Sequence, residues 1–160
     1  MKKLRSDRVR DLISEIPMYN EKETANNVSV FLSKKLKSYL QIIEFTDPRA
    51  LKSPQINDMP TASVTGNKNE IALANYIVAK SKADAVNRAL THLNEAEKVV
   101  IDVITQDYSV TQATMRLNIS ESQFYRLRQS TLCKFAVAFM QQVDGEDLRA
   151  FDDKENENEN

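Results

Sequence analysis

Apolar residues recur every three or four positions along most of the chain, and no long stretch alternates strictly between apolar and polar residues. This spacing places apolar side chains on one face of an α-helix. A clear example is the run formed by Val28, Leu32, Leu36, Tyr39, Leu40 and Ile43. Only 2 Gly and 4 Pro interrupt the 160 residues. The pattern therefore predicts an all-α fold.

The first predicted segment, residues 1–44, holds N-terminal amphipathic helices. A short basic amphipathic stretch ends at Pro17, and Thr24 or Asn26 is the expected N-cap of a helix of about five turns. The periodicity is then lost over residues 45–69, where Pro, Gly, Asp, Asn and Ser collect. This composition predicts a polar linker or a long loop.

Periodicity returns in residues 70–143, which predict a C-terminal helical bundle. Its expected helices are one from near Glu70 with a break or bend around 81–83, one capped by Asn94, a short one from Val110 or Thr111, and a long one from Glu121 to about Val143.

Charge is distributed unevenly along the chain, although the net charge is only −1. Residues 144–160 contain eight acidic residues against Arg149 and Lys154, a net charge of −6, so the preceding residues carry +5. Such a tail cannot bury apolar surface, and we expect it to be disordered. It is either a solubility tail or an internal mimic of DNA that lowers non-specific binding. The basic N-terminus is either a DNA-tracking arm or a solvated helix start.

Residues 117–128 predict the turn and second helix of a helix-turn-helix. Asn118 stands where the turn needs a residue able to adopt positive φ. Ser120 follows as the expected N-cap. Apolar contacts between the two helices are expected from Leu117, Ile119, Phe124 and Leu127.

The polar face of the second helix carries the candidate DNA-binding residues. Arg126 suits guanine, Gln123 or Gln129 suits adenine, and Tyr125 suits a phosphate or a thymine methyl group. Near the helix start, Ser120 and Ser122 suit phosphate contacts. Flanking contacts to the DNA backbone are expected from Arg116, Arg128 and Lys134. Glu121 either accepts from a cytosine amino group or only complements the helix dipole. A solvated face of an ordinary helical bundle is the alternative interpretation of these residues.

The remaining chemistry-bearing residues predict neither an enzyme nor a metal or cofactor site. His92 has no acid, cysteine or second histidine at the spacing of a metal site, and Cys133 is expected to be a small packed residue. No apolar run is long enough to cross a bilayer, so we expect no membrane association and a cytoplasmic location.

The run Leu93–Phe135 resembles the DNA-binding part of the ArpU family of phage late-gene regulators, which is itself similar to region 4 of sigma factors. The matching parts are the leading Leu-Asn-Glu-Ala-Glu-Lys, the serines of the turn, Phe-Tyr-Arg at 124–126 and Phe-Ala at 135–136. This resemblance implies control of phage packaging, lysis and structural genes by binding upstream of a late promoter. It also implies that Ser120, Ser122, Tyr125, Arg126 and Arg128 face DNA.

Two hypotheses follow from the sequence. The first is a sequence-specific transcription regulator that binds double-stranded DNA as a homo-oligomer. Its N-terminal helix and the helix from Glu70 contact a second subunit or RNA polymerase, because one reader helix covers few base pairs. The second is a helical adaptor or phage packaging component with weak, non-specific DNA binding.

Overall fold

The computed structural model describes residues 18–51 and 64–151. These form an all-α fold with one small two-stranded ribbon, which confirms the predicted fold class. The elements are β1 (Tyr19–Asn20), α1 (Glu21–Val30), a π-helical segment (Phe31–Lys35), α2 (Leu36–Phe45), α3 (Pro48–Leu51), α4 (Val64–Leu90), α5 (Glu95–Ile104), α6 (Val110–Leu117), α7 (Glu121–Met140) and β2 (Ala150–Phe151). The expectations for the basic stretch before Pro17 and for residues 152–160 fall outside the described residues.

Helices α5, α6 and α7 each begin with a capping box. Asn94, Ser109 and Ser120 each accept a hydrogen bond from the backbone three residues on, and a Glu or Gln side chain there accepts one in return. Each box satisfies two amides that the helix itself leaves without partners. The predicted caps Asn94 and Ser120 are confirmed.

The cap predicted for the first long helix is wrong. Asn20, rather than Thr24 or Asn26, is the N-cap, because its side-chain oxygen accepts from the Glu23 amide at 3.1 Å. Thr24 lies inside α1 and is fully buried. Its hydroxyl accepts instead from the Ala150 amide at 2.9 Å, a partner 126 residues away that no local pattern reveals.

The stretch predicted as a polar linker is partly helical. Pro48 opens α3, where it has no amide to lose, and the Asp47 carboxylate accepts from the Arg49 amide at 2.9 Å. Helix α4 begins at Val64 and runs without interruption through 81–83, where a bend was expected. Residues 79–85 are rich in Ala and Lys, which have high helix propensity, so the helix continues through this stretch.

The core is formed by helices from both described parts of the chain. Helix α1 packs along α7, and α2 packs along α4. Phe31 lies 5.0 Å from Phe139 between ring centroids, and Phe135 lies 5.5 Å from Phe139 on the next turn of α7. All three aromatic rings are buried. The long helix predicted from Glu121 therefore buries an apolar side, which the π-helical segment contacts at Phe139.

The first part of the tail is ordered, so the expectation of disorder is wrong for residues 144–151. Strand β2 pairs antiparallel with β1, with Tyr19 opposite Phe151. Leu148 packs against the core, and its carbonyl accepts from the Asn27 amide group at 3.3 Å. We call residues 143–151 the strap.

Acidic and backbone groups of the strap find partners on other helices. Glu146 pairs with Lys82 at 3.0 Å and with Lys35 at 3.7 Å, and the Arg88 guanidinium donates to the Val143 carbonyl at 2.9 Å. Gly145 passes so close to α7 that a Cβ there would collide with the Phe139 carbonyl. Acidic residues that look like a solvated tail are thus partly structural.

Candidate nucleic-acid interface

The turn between α6 and α7 depends on a left-handed residue. Asn118 has φ 52° and ψ 48°, which confirms the predicted positive φ. Its amide donates to Met115 O at 3.3 Å, and the Ile119 amide donates to Thr114 O at 3.1 Å. These two bonds form a Schellman motif, which satisfies carbonyls at the end of α6.

Apolar contacts fix the angle between α6 and α7. Ala113 and Phe124 are fully buried, while Leu117, Ile119 and Leu127 pack against the core with partial exposure. The small Ala113 side chain lets the two helices approach closely. The predicted apolar set is therefore in place, and it orients the start of α7.

Two of the predicted DNA-binding side chains hold this helix start. Ser120 Oγ accepts from the Gln123 amide at 3.2 Å, and Gln123 Oε1 accepts from the Ser120 amide at 2.8 Å. Both residues remain exposed. Because the first amides of any helix point along its axis, the start of α7 still presents N–H groups suited to an anion.

A polar face of α7 is open to solvent over residues 121–129. Ser122, Tyr125, Arg126 and Gln129 are all exposed, and Tyr125 retains 51% of its accessible surface. The Tyr125 ring stands edge-on to buried Phe124, with 5.8 Å between centroids. That contact anchors the ring while leaving its hydroxyl end outside.

Helix α1 borders this face on the side of Arg128 and Gln129. The Arg128 guanidinium donates to Ser29 Oγ at 3.0 Å, and it is only partly exposed. The Gln129 amide donates to a Glu21 carboxylate oxygen at 3.4 Å. Arg128 therefore links α7 to α1.

Arg116 and Lys134, which were predicted to make flanking contacts to DNA, also contact neighbouring side chains. Arg116 donates to the Tyr108 hydroxyl at 3.1 Å and lies over the same ring, 5.5 Å from its centroid. Lys134 pairs with Glu97 at 2.8 Å and so links α7 to α5. Both cations remain exposed.

The Lys134 contact changes the titration of Glu97. Burial acts to raise the pKa of the Glu97 carboxylate. The hydrogen bonds from Lys134 and from the Asn94 amide, together with the Lys134 charge, outweigh that effect and leave the pKa below the ordinary glutamate value. Glu97 thus stays charged while it caps α5 and binds α7.

Sequence reasoning missed the part of this surface that α1 supplies. A groove next to the α7 face is lined by Lys22, Asn26, Tyr125 and Arg128, among others. Lys22 and Asn26 are exposed. No local pattern could have identified them, because about a hundred residues separate them from α7 and only folding brings the two helices together.

The surface has mixed charge. Arg126 lines one groove with Glu21, and Lys22 lines another with Glu23. Attraction to anions is weakened by such acids. The exposed face thus combines the hydrogen-bonding side chains Tyr125, Arg126 and Gln129 with charges of both signs.

The other candidate groups are accounted for without reactive chemistry. His92 is exposed, and no group of metal-ligating side chains occurs within residues 18–51 and 64–151. Cys133 is buried as predicted, and burial followed by the Glu21 charge raises the pKa of its thiol. Within the same ranges, no helix is both long enough and apolar enough to span a bilayer.

Comparison with known proteins gives one statistically supported similarity. The chain is 28% identical over 92 residues to a protein of Enterococcus hirae named "Putative autolysin regulatory protein ArpU". The aligned stretch covers 56% of this chain and 67% of that protein. No protein-family model matches the chain. No solved structure matches it either.

Proposed function

We propose that this protein is a sequence-specific DNA-binding transcription regulator that inserts the start of α7 into a major groove. The observation that carries the proposal is the polar, exposed face of Ser122, Tyr125, Arg126 and Gln129 on a helix whose other side is fixed in the core. A rigid helix with polar side chains at its exposed N-terminal end is the geometry by which helix-turn-helix proteins contact bases.

The similarity to the Enterococcus hirae protein supports a regulatory role. The ArpU resemblance further implies phage late genes as targets, and a contact with RNA polymerase is part of this proposal. No catalytic step is assigned to the protein. An adaptor or packaging role is the second candidate, and the exposed apolar side chains of α4 favour it.

The contacts of α7 give its polar side chains different proposed roles. Arg126 is the expected base reader, since its guanidinium can form two hydrogen bonds with guanine. Ser120 and Gln123 fix the helix start, and Arg128 fixes its position against α1. Lys22 and Asn26 of α1 are expected to approach the DNA backbone beside the groove.

Replacement of Arg126 tests the proposal. After selection of a preferred duplex from random sequences, Arg126→Ala should weaken binding to it by about 1–3 kcal/mol and relax the base preference at one position. Fluorescence anisotropy over a range of salt concentrations measures both the affinity and the salt slope. Lys37→Ala, which removes an exposed cation on α2, is the matched control and should leave binding unchanged.

Two outcomes would contradict the assignment. Unchanged affinity and salt slope for Arg126→Ala would show that this face does not read DNA. Selection that returns no enriched sequence would favour the adaptor role instead, because an adaptor has no base preference.

A further inference from the structure

An open groove lies between α1 and the polar face of α7. Its volume is about 630 Å³. The residues that line it are Asn20, Lys22, Glu23, Ala25 and Asn26 from β1 and α1, and Tyr125, Arg128 and Gln129 from α7. Six of these eight side chains carry hydrogen-bond donors, and only the Glu23 carboxylate is purely an acceptor. The groove therefore suits a ligand that is rich in acceptors.

The α1 side of the groove offers donors that are not already in use. Lys22, Asn26 and Ser29 follow one another at intervals of four and three residues, which places them on one side of the helix. Lys22 and Asn26 are exposed, and neither side chain forms a hydrogen bond or an ion pair with another of the described residues. The buried Ala25 also lines the groove, and its small side chain leaves space beside them.

The α7 side adds a guanidinium that is held in place. Arg128 donates one of its five N–H groups to Ser29 Oγ at 3.0 Å, and it remains partly exposed. This bond joins the two sides of the groove and fixes the direction of the Arg128 side chain. The other N–H groups of Arg128 can donate to a second acceptor.

The groove is continuous with the face that is proposed to contact bases. Tyr125 and Gln129 line the groove and also belong to that face. A ligand in the groove therefore lies next to whatever α7 contacts. A helix inserted into a major groove has the phosphates of the two strands on either side of it. The acceptor-rich ligand nearest to such a helix is thus the backbone of the same duplex.

We propose that this groove binds the phosphodiester backbone of one strand of the duplex that α7 reads, with Lys22 and Asn26 as the phosphate-binding residues. The inference rests on the proposed function, and it extends the DNA contact from the helix-turn-helix to a helix about a hundred residues earlier in the chain. Glu23 in the same groove repels phosphates. It thereby weakens binding to any sequence, which leaves more of the discrimination to base contacts.

A cycle that combines protein and DNA variants tests the contact. In the selected duplex, each phosphate in turn is replaced by an uncharged methylphosphonate. Lys22→Ala should weaken binding to the unmodified duplex about fivefold at about 0.15 M salt and reduce the salt slope by about 0.9. At one or two adjacent positions on one strand, the methylphosphonate should weaken the wild type similarly but have little further effect on Lys22→Ala. Lys37→Ala, on α2, is the matched control and should respond to every methylphosphonate as the wild type does.

Two further variants separate hydrogen bonding from charge. Asn26→Ala should weaken binding about threefold without a change in salt slope, because an amide releases no counterion. Glu23→Gln should strengthen binding to selected and random duplexes alike, because it removes an acid from the groove. The three substituted side chains, at 22, 23 and 26, are exposed, so the core of the protein is left intact.

The outcomes distinguish this inference from the proposed function. Wild-type binding by Lys22→Ala and Asn26→Ala, together with weakened binding by Arg126→Ala, would overturn only the groove. Additive effects of Lys22→Ala and every methylphosphonate would also overturn it, since Lys22 would then act only through long-range charge. If selection returns no preferred sequence but Lys22→Ala and Asn26→Ala still weaken binding to random duplexes, the backbone contact is supported and the proposed sequence-specific function is contradicted.

Discussion

Helices α4 and α7 are both long, and each is packed on one side and open to solvent on another. In α4, Ala85, Val86 and Ala89 are buried in the core, while Ile71, Ile77 and Val78 stay about half exposed. In α7, Phe124, Phe135 and Phe139 are buried, while the polar side chains Tyr125, Arg126 and Gln129 stay exposed. The same architecture thus exposes two surfaces of opposite chemistry.

Because the two surfaces differ in polarity, each suits a different kind of partner. The polar side of α7 offers hydrogen-bonding groups at a helix N-terminus, which suit a nucleic acid. The apolar side of α4 offers β-branched and small residues without charge, which suit another helix. A protein of this size can hold both because they lie on different helices, and neither surface has to serve both purposes.

The largest expected effect tests whether the buried and the exposed sides of α7 contribute differently to stability. Phe139→Ala removes a buried ring that contacts Phe31 and Phe135, and it should lower the free energy of unfolding by about 3–5 kcal/mol. Tyr125→Ala, on the exposed side, should lower the free energy of unfolding by about 1 kcal/mol through loss of its edge contact with Phe124. Urea denaturation measures both, and equal losses would contradict the division.

An intermediate effect is expected from two buried hydroxyls, that of Thr24 on α1 and that of Thr131 on α7. Thr24→Val leaves the Ala150 amide without its acceptor and should cost about 1–2 kcal/mol. Thr131 has a buried hydroxyl with no hydrogen-bond partner among the described residues, so Thr131→Val should be neutral or stabilising. A large loss of stability for Thr131→Val in thermal unfolding would show that its hydroxyl has a partner.

The smallest effect is a pH dependence of stability that arises from the ion pair between Glu97 of α5 and Lys134 of α7. Because folding lowers the pKa of Glu97, its contribution is complete above the ordinary glutamate pKa of about 4.3 and is lost as the pH falls through the lower folded value. The contribution should be about 1 kcal/mol, since Lys134 is half exposed.

Glu97→Gln isolates this contribution. Glutamine retains an acceptor for the Asn94 amide but has no charge to lose, so the variant should lose less stability than the wild type between pH 5 and pH 3, a window set by the glutamate pKa of about 4.3. Glu44→Gln, at the exposed end of α2, is the control and should follow the wild-type curve. Identical pH profiles for Glu97→Gln and the wild type would contradict the role of this ion pair.

Much of the α5–α7 unit could be predicted because its determinants are local. Asn94 and Ser120 cap helices through contacts three residues away, and Asn118 adopts positive φ to join two neighbouring helices. The exposed positions of Tyr125 and Arg126 follow from the same helical periodicity. Their function as DNA-binding residues stays a prediction.

The errors concern segments whose partners are distant in sequence. The strap looked like an acidic tail because its stabilising contacts, from Glu146 to Lys82 and from Ala150 to Thr24, span the chain. The start of α4 was placed too late because Gly66 and the polar residues around it resemble a loop. For the strap, contacts with distant residues rather than local propensity decided the structure.

The sequence by itself determined the all-α class, the caps and turn of residues 94–120, and which side of α7 is apolar, since each depends on residues within about one helical turn of one another. Tertiary structure alone decided where those sides remain open. Contact of α1 at Arg128 borders the polar face of α7, and the strap contacts α4 at Lys82 and Arg88, because burial depends on which distant segments meet after folding.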